Sequence, residues 1–280
     1  DYYTGLAYGT AGVVKSLLRL YNDTGETKYL NASKDGGSWL ISSTVAEGGK
    51  KWKIYDATNA PKHYLTGREY GAAGIIPVLL ELYSYTATDT YKTTAIAAGG
   101  WLLDTTAVAK DMDGIGGING NGELAWEYLE DCTSTPCVYY NEYYLGEEYG
   151  AAGILPALVE LYQQTGSITY LRAANESINR ARNSNVCVDV DGSGTITGTG
   201  QLKCRYKEGE DKFYSGRFGG PSGVSQGLRE VSNVPLTSVD ASLFASGVSY
   251  ATNTVLTINF TAYNHTTTNP ITDLVDAGET

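Results

Sequence analysis

Histidine and methionine are almost missing from this sequence of 280 residues, which has two His (His63 and His265) and one Met. The two histidines are far apart in the chain, so a histidine-rich metal centre is not encoded. Basic side chains are also scarce: 20 Lys and Arg stand against 31 Asp and Glu, a formal charge of −11. That balance argues against nucleic acid as a partner, because neutralising phosphates takes a basic patch or stripe. No stretch approaches about 18 consecutive apolar residues, so no membrane span is encoded. Phenylalanine and tryptophan number four each, yet there are 23 tyrosines. Hydrophobic residues at 42% suffice for a real core and exclude disorder.

Cysteine is sparse but patterned. The four fall into two local pairs, Cys132/Cys137 and Cys187/Cys204, neither with the spacing of a metal site. Two loop-closing disulfides in an oxidising compartment are the expected reading. Asn-x-Ser/Thr sequons stand at Asn22, Asn31, Asn175, Asn259 and Asn264, candidate glycosylation sites if the protein is exported. The chain opens on Asp1, as a processed terminus would. Together these features predict an extracellular or cell-surface protein.

The strongest signal is internal repetition. Gly5-Leu-Ala-Tyr8-Gly9-Thr-Ala-Gly12 returns as Gly67-Arg-Glu-Tyr70-Gly71-Ala-Ala-Gly74 and as Gly146-Glu-Glu-Tyr149-Gly150-Ala-Ala-Gly153. A degenerate fourth copy runs from Gly216 through Gly219 to Gly223. Each motif precedes apolar residues at helical period, such as Ile75, Ile76, Leu79, Leu80 and Leu82. Pro77 and Pro156 are placed by this pattern in a first helical turn, where a missing N–H is tolerated. Gly25 and Gly166 read as helix stops, and a second helix follows each time. Lys51–Tyr55, Leu124–Tyr128 and Leu202–Tyr206 repeat as short β-arms between the units. The fold predicted is mostly α: an incomplete α/α-toroid of helical hairpins over 1–235, with units starting near 5, 67, 146 and 216. A β-rich tail over 236–280 completes the division into two parts.

The Gly-x-x-Tyr-Gly-x-Ala-Gly motif, with its helix ending Leu-Tyr-x-x-Thr-Gly and the Tyr-Leu and Trp-Leu that follow, resembles the lanthionine synthetase C-like α/α-toroid family over residues 5–235. That resemblance implies the toroid. It also implies zinc held by a histidine of the repeat and two cysteines, for activating a peptide thiol. Here the histidine positions are Tyr8, Tyr70, Tyr149 and Gly219. The fold is therefore expected to carry over without zinc and without lanthionine formation.

Asp189-Val-Asp191-Gly-Ser193-Gly194-Thr195 fits the opening of an EF-hand-type loop, with oxygens at positions 1, 3 and 5, a glycine at 6 and a carbonyl at 7. Calcium is the expected ion. A weaker equivalent one unit earlier uses Asp111 and Asp113, with Asn119 or Glu123 contributing. The alternative at both is an Asp/Gly turn with no ion.

The glycine motifs open the inner helices, so their N-termini should converge at one end, where an anion or a sugar hydroxyl could sit. Close helix packing, with tyrosine filling the throat, is the plainer expectation. Linker carboxylates (Asp56, Glu127, Glu130, Asp131, Glu147, Glu148, Glu208 and Asp211) lie near many tyrosines. Such residues suit a glycosidase, which sets two carboxylates across a sugar bond.

Two functions follow from these readings. The main expectation is a structural subunit of an extracellular filament, with copies of itself as partners. It rests on the stripe Leu256, Ile258 and Phe260, which has no later strand in the chain to pair with, so the tail would add to a neighbour. On this reading no residue is catalytic. The alternative is a secreted carbohydrate-active enzyme or glycan-binding module, with glycans as partners.

Overall fold

The computed structural model describes residues 2–45, 49–56, 60–183, 185–189, 202–213, 262–263 and 270–271. Three helical hairpins are laid side by side. They are α1 (Thr10–Thr24) with α2 (Thr27–Ser42), α3 (Ala72–Thr86) with α4 (Asp89–Leu102), and α5 (Ala151–Thr165) with α6 (Ile168–Ala181). The first helices pack as a row, α1 on α3 and α3 on α5, and the second helices lie behind them. This is the incomplete α/α-toroid.

The repeated glycines have a steric cause. A Cβ on Gly12, Gly74 or Gly153 would lie 2.0, 1.9 or 2.0 Å from the carbonyl oxygen of Leu6, Arg68 or Glu147. Each helix therefore begins pressed against the loop that leads into it, and only glycine fits. The first glycine of each motif joins one unit to the next: Gly5 lies against the backbone of Glu69 and Tyr70, and Gly67 against that of Glu148 and Tyr149. Ala7 N–H donates to the Glu69 carbonyl and Glu69 N–H to the Glu148 carbonyl.

Helix ends follow the Thr-Gly signal. Thr24, Thr86 and Thr165 each donate a hydroxyl to the carbonyl four residues back and accept the amide two residues on. Gly25 and Gly166 then take the left-handed conformation at φ 70° and 68°, while the middle unit uses Ala87 at φ 52°. Pro77 and Pro156 do not lie in a first turn. The helices start at Ala72 and Ala151, so each proline is sixth, in the second turn. The periodicity of the large apolar residues begins after the Ala-Ala-Gly run, and that run is already helical.

Short antiparallel pairs cross the rim. Three lie within linkers: β2 (Thr44–Val45) with β3 (Lys51–Trp52), β6 (Ala109–Asp111) with β7 (Leu124–Trp126), and β9 (Cys187–Asp189) with β10 (Leu202–Cys204). Two tie successive units: β1 (Tyr2–Tyr3) with β4 (Tyr55–Asp56), and β5 (His63–Leu65) with β8 (Leu129–Asp131). Trp52 Nε1 donates to the Leu40 carbonyl at 2.8 Å, and Trp126 Nε1 to that of Leu102 at 2.7 Å. The aligned position in the third linker is Cys204, bonded to Cys187 directly opposite in register. A disulfide there replaces the tryptophan pin. A second disulfide joins Cys132 and Cys137.

The core runs continuously through the hairpins. α3 is the most enclosed helix, with Ile75, Ile76, Leu79 and Leu82 fully buried, because it has a neighbour on both sides. In the tail, β11 (Ala262–Tyr263) pairs with β12 (Pro270–Ile271). This corrects the expectation that the tail strand has no later partner in the chain: Ala262 faces Ile271. Leu256, Ile258 and Phe260, the fourth glycine motif and the boundary near 236 lie outside the described residues.

Candidate functional site: a tyrosine ladder at the mouth of the arc

Because the three glycine-motif loops stack on one another, the same position of each projects at the same place. Tyr8, Tyr70 and Tyr149 form a ladder with ring centroids 5.8 and 5.5 Å apart and interplanar angles of 26° and 19°. Tyr149 is met on its far side by Tyr128 and Tyr144, and Tyr144 continues to Tyr206. Tyr8 is 74% exposed, and Tyr70 and Tyr149 are half-buried. Stacking uses most of the ring faces, so the ladder presents phenol edges and hydroxyls.

Carboxylates flank it. The negative charge of Glu148 acts on Tyr149 and, with Glu69, on Tyr70. Burial first, then these negative charges, push both phenols above the ordinary tyrosine range. Tyr144 is pushed up to about 12 by burial and by Glu142, which accepts its hydroxyl, against an opposing effect of Lys207. The mouth thus keeps neutral phenols as donors across a wide pH range. Its cations are engaged: Arg68 Nη1 lies 2.7 Å from Glu147, and Lys207 Nζ is 3.1 Å from both Glu142 and Glu210.

The other linker carboxylates whose side chains are described have partners within the rim. Glu127, fully buried, accepts the amides of Asn141 and Glu142. Glu130 receives Lys51 Nζ at 2.5 Å, Trp101 Nε1 at 3.1 Å and the Tyr139 hydroxyl at 3.0 Å. Asp131 is held at about 2 by the Thr133 hydroxyl and amide and then the Tyr140 hydroxyl. Glu208 pairs with Arg180 and Asp211 with Arg205. Asp56 lies in β4, with its side chain outside the described residues. Of the linker carboxylates whose side chains are described, Glu148 is the one beside the ladder, while its neighbour Glu147 is buried against Arg68. Sequence reasoning passed over Glu69; its alignment with Glu148 at the third position of the motif is the signal that could have found it.

Asp191, Ser193 and Thr195 of the first calcium loop lie outside the described residues, and Asp189 is described only as a backbone position in β9. In the second loop Asp111 accepts the amides of Asp113, Gly114 and Gly116, and Asp113 that of Ile115. Asn119 Oδ1 accepts the Asn121 amide, and Glu123 is turned away to Arg180 and Asn183. Of the sequons, Asn22 and Asn31 are exposed. Asn175 Nδ2 instead donates to the Gly120 carbonyl at 2.6 Å, beside the buried Ser177. Asn259 and Asn264 lie outside the described residues. Among the described residues no helix is long and apolar enough to cross a membrane.

No family model matches the chain, and no curated protein does. Solved structures do match. One is a family 76 glycoside hydrolase from a bovine Bacteroides thetaiotaomicron strain, 14% identical over 80% of this chain and 42% of that one, TM-score 0.54. Another is the α-1,6-mannanase GH76A of Salegentibacter sp. HEL1_6, an inactive variant altered at two adjacent aspartates and in complex with α-1,6-mannotriose. It is 15% identical over 84% of this chain and 60% of that one, TM-score 0.53. The fold is that of α/α-toroid glycoside hydrolases. The chain spans about half the length of these neighbours.

Two expectations are corrected by this finding. The resemblance to lanthionine synthetase C-like proteins identified the toroid but not its neighbours, which are family 76 glycoside hydrolases. The reading as a filament subunit that binds copies of itself is likewise overturned, since the solved structures that share the fold are glycoside hydrolases.

Proposed function

We propose that this chain is a secreted carbohydrate-active protein that takes a glycan at the tyrosine mouth and cleaves a glycosidic bond there. The observation that carries the reading is the ladder Tyr8–Tyr70–Tyr149 flanked by Glu69 and Glu148. Phenol hydroxyls and carboxylates on one surface match the alternating donors and acceptors of sugar hydroxyls. Glu69 and Glu148 occupy equivalent positions of stacked loops beside Tyr70, and a glycosidase works with two carboxyl groups across the scissile bond. In this role one of the pair protonates the leaving oxygen while the other attacks the anomeric carbon, and water then releases the sugar. The mannanase neighbours and the two disulfides support a secreted glycan-processing role.

The test is binding and hydrolysis on a panel of neutral polysaccharides, with α-1,6-mannan included, followed by release of reducing ends. Wild type is expected to bind and cleave one of them. Glu148→Gln and Glu69→Gln are each expected to keep binding and lose cleavage by a factor of about 10² or more. Absence of binding to every member overturns the proposal, and unchanged cleavage by both variants overturns the assignment of the two carboxylates.

A further inference from the structure

The ladder is not symmetric. At the Tyr149 end, the aromatic column is closed by Tyr128 and Tyr144. At the other end, Tyr8 touches a ring only on its Tyr70 side among the described residues, and its side chain is largely in solvent. The first motif also departs from its copies. Where the second and third carry Arg68-Glu69 and Glu147-Glu148, the first carries Leu6-Ala7. Leu6 is half-buried against the start of α3, with its Cβ 3.1 Å from where a Gly74 Cβ would lie, and Ala7 is exposed beside Tyr8. The open rung thus has an uncharged floor, while the next rung brings a carboxylate and a phenol.

We infer that the outer face of Tyr8 is a stacking platform for one pyranose ring of a neutral glycan, which extends the tyrosine column as its next rung. The inference deepens the proposed function and rests on it. A pyranose has an apolar face of C–H groups and an equator of hydroxyls. The C–H face suits the electron-rich face of a tyrosine, and the hydroxyls need acceptors and donors at its edge. Glu69, joined to Ala7 through the backbone, and the Tyr70 hydroxyl stand on the adjacent rung. The sugar class follows from charge. Glu148 and Glu69 bring negative charge to Tyr70, Arg68 and Lys207 are paired with carboxylates, and the whole chain carries −11. Uronates and sulfated sugars would be repelled, while a neutral hexose chain is not.

The experiment is calorimetric titration of the full chain with neutral oligosaccharides (α-1,6-mannotetraose, cellotetraose and maltotetraose) and with tetragalacturonate as the anionic comparison. For the best neutral binder, Tyr8→Ala is expected to weaken affinity about tenfold, with Tyr8→Trp within about threefold of wild type. Tyr85→Ala, an exposed tyrosine on another surface, is expected to leave affinity unchanged. Tyr8 is exposed, so these variants should fold, and their circular dichroism is the check. If wild type binds a neutral oligosaccharide and Tyr8→Ala binds it equally well, the platform is wrong while the proposed function stands. Tetragalacturonate binding as tightly as the neutral sugars overturns the assigned class. If none of these sugars and no polysaccharide of the panel binds, the proposed function falls and the platform with it.

Discussion

Replacing Lys51 by Met should destabilise the protein far more than replacing Lys51 and Glu130 together. The Lys51 and Glu130 side chains are only 4% and 6% exposed, and Nζ lies 2.5 Å from the Glu130 carboxylate and 4.6 Å from the Tyr64 ring centroid. In Lys51→Met the carboxylate stays buried with Trp101 and Tyr139 as donors but no cation. Stranding one member of such a pair costs about 3–5 kcal/mol. In Lys51→Met/Glu130→Leu both charges disappear, and the desolvation that they required is recovered. What remains is the indole N–H of the fully buried Trp101, now without its acceptor, at about 1–3 kcal/mol. The double variant should therefore be more stable than Lys51→Met. Glu130→Leu strands the buried lysine at a similar cost, so the two single losses together should exceed that of the double variant by about 3 kcal/mol or more. Urea unfolding of the four proteins, compared at constant slope, measures it. Single-variant losses that add within about 0.5 kcal/mol would refute the reasoning.

Other expectations follow from individual contacts. Gly153→Ala, whose Cβ would meet the Glu147 carbonyl, should cost about 1–3 kcal/mol or more, while Gly100→Ala, with open space around it late in α4, should gain about 0.5–1 kcal/mol in urea unfolding. Ala87→Gly should raise stability by about 0.5–1 kcal/mol by removing a Cβ from a left-handed cap. Asp131 sits at about 2 when folded and near 3.9 when unfolded, so its contribution is complete above pH 4 and lost as pH falls through 2. Asp131→Asn should flatten the acid limb of stability between pH 4 and 2, read by fluorescence. Removing Cys187–Cys204 as a double alanine variant, which opens a loop of 17 residues, should cost about 3 kcal/mol in the same assay.

Much of the architecture was legible because the repeat encodes local sterics. A glycine that cannot bear a Cβ, a threonine that turns back on its helix and an apolar period of 3.6 all act within a few residues. Three copies of each overdetermine the hairpin. The exception is instructive: Pro77 and Pro156 look like first-turn residues because the Ala-Ala-Gly run ahead of them has no apolar period of its own.

The site was less legible, because a side chain's role depends on what the other units bring to it. Glu130 and Glu148 are both glutamates beside tyrosines in the sequence. Packing gives one of them Lys51 and Trp101 inside the rim and leaves the other at the mouth. The pairing at Ala262–Tyr263 was not legible either: its partner strand, Pro270–Ile271, is two residues long and begins with proline, which gives no strand signal on its own. The sequence by itself determined the helical hairpins, their number among the described residues and their ends, since each is settled by contacts within one unit. Only the tertiary structure decided which carboxylates are buried and which tyrosines line the mouth, because those outcomes depend on how one unit's loop stacks on the next.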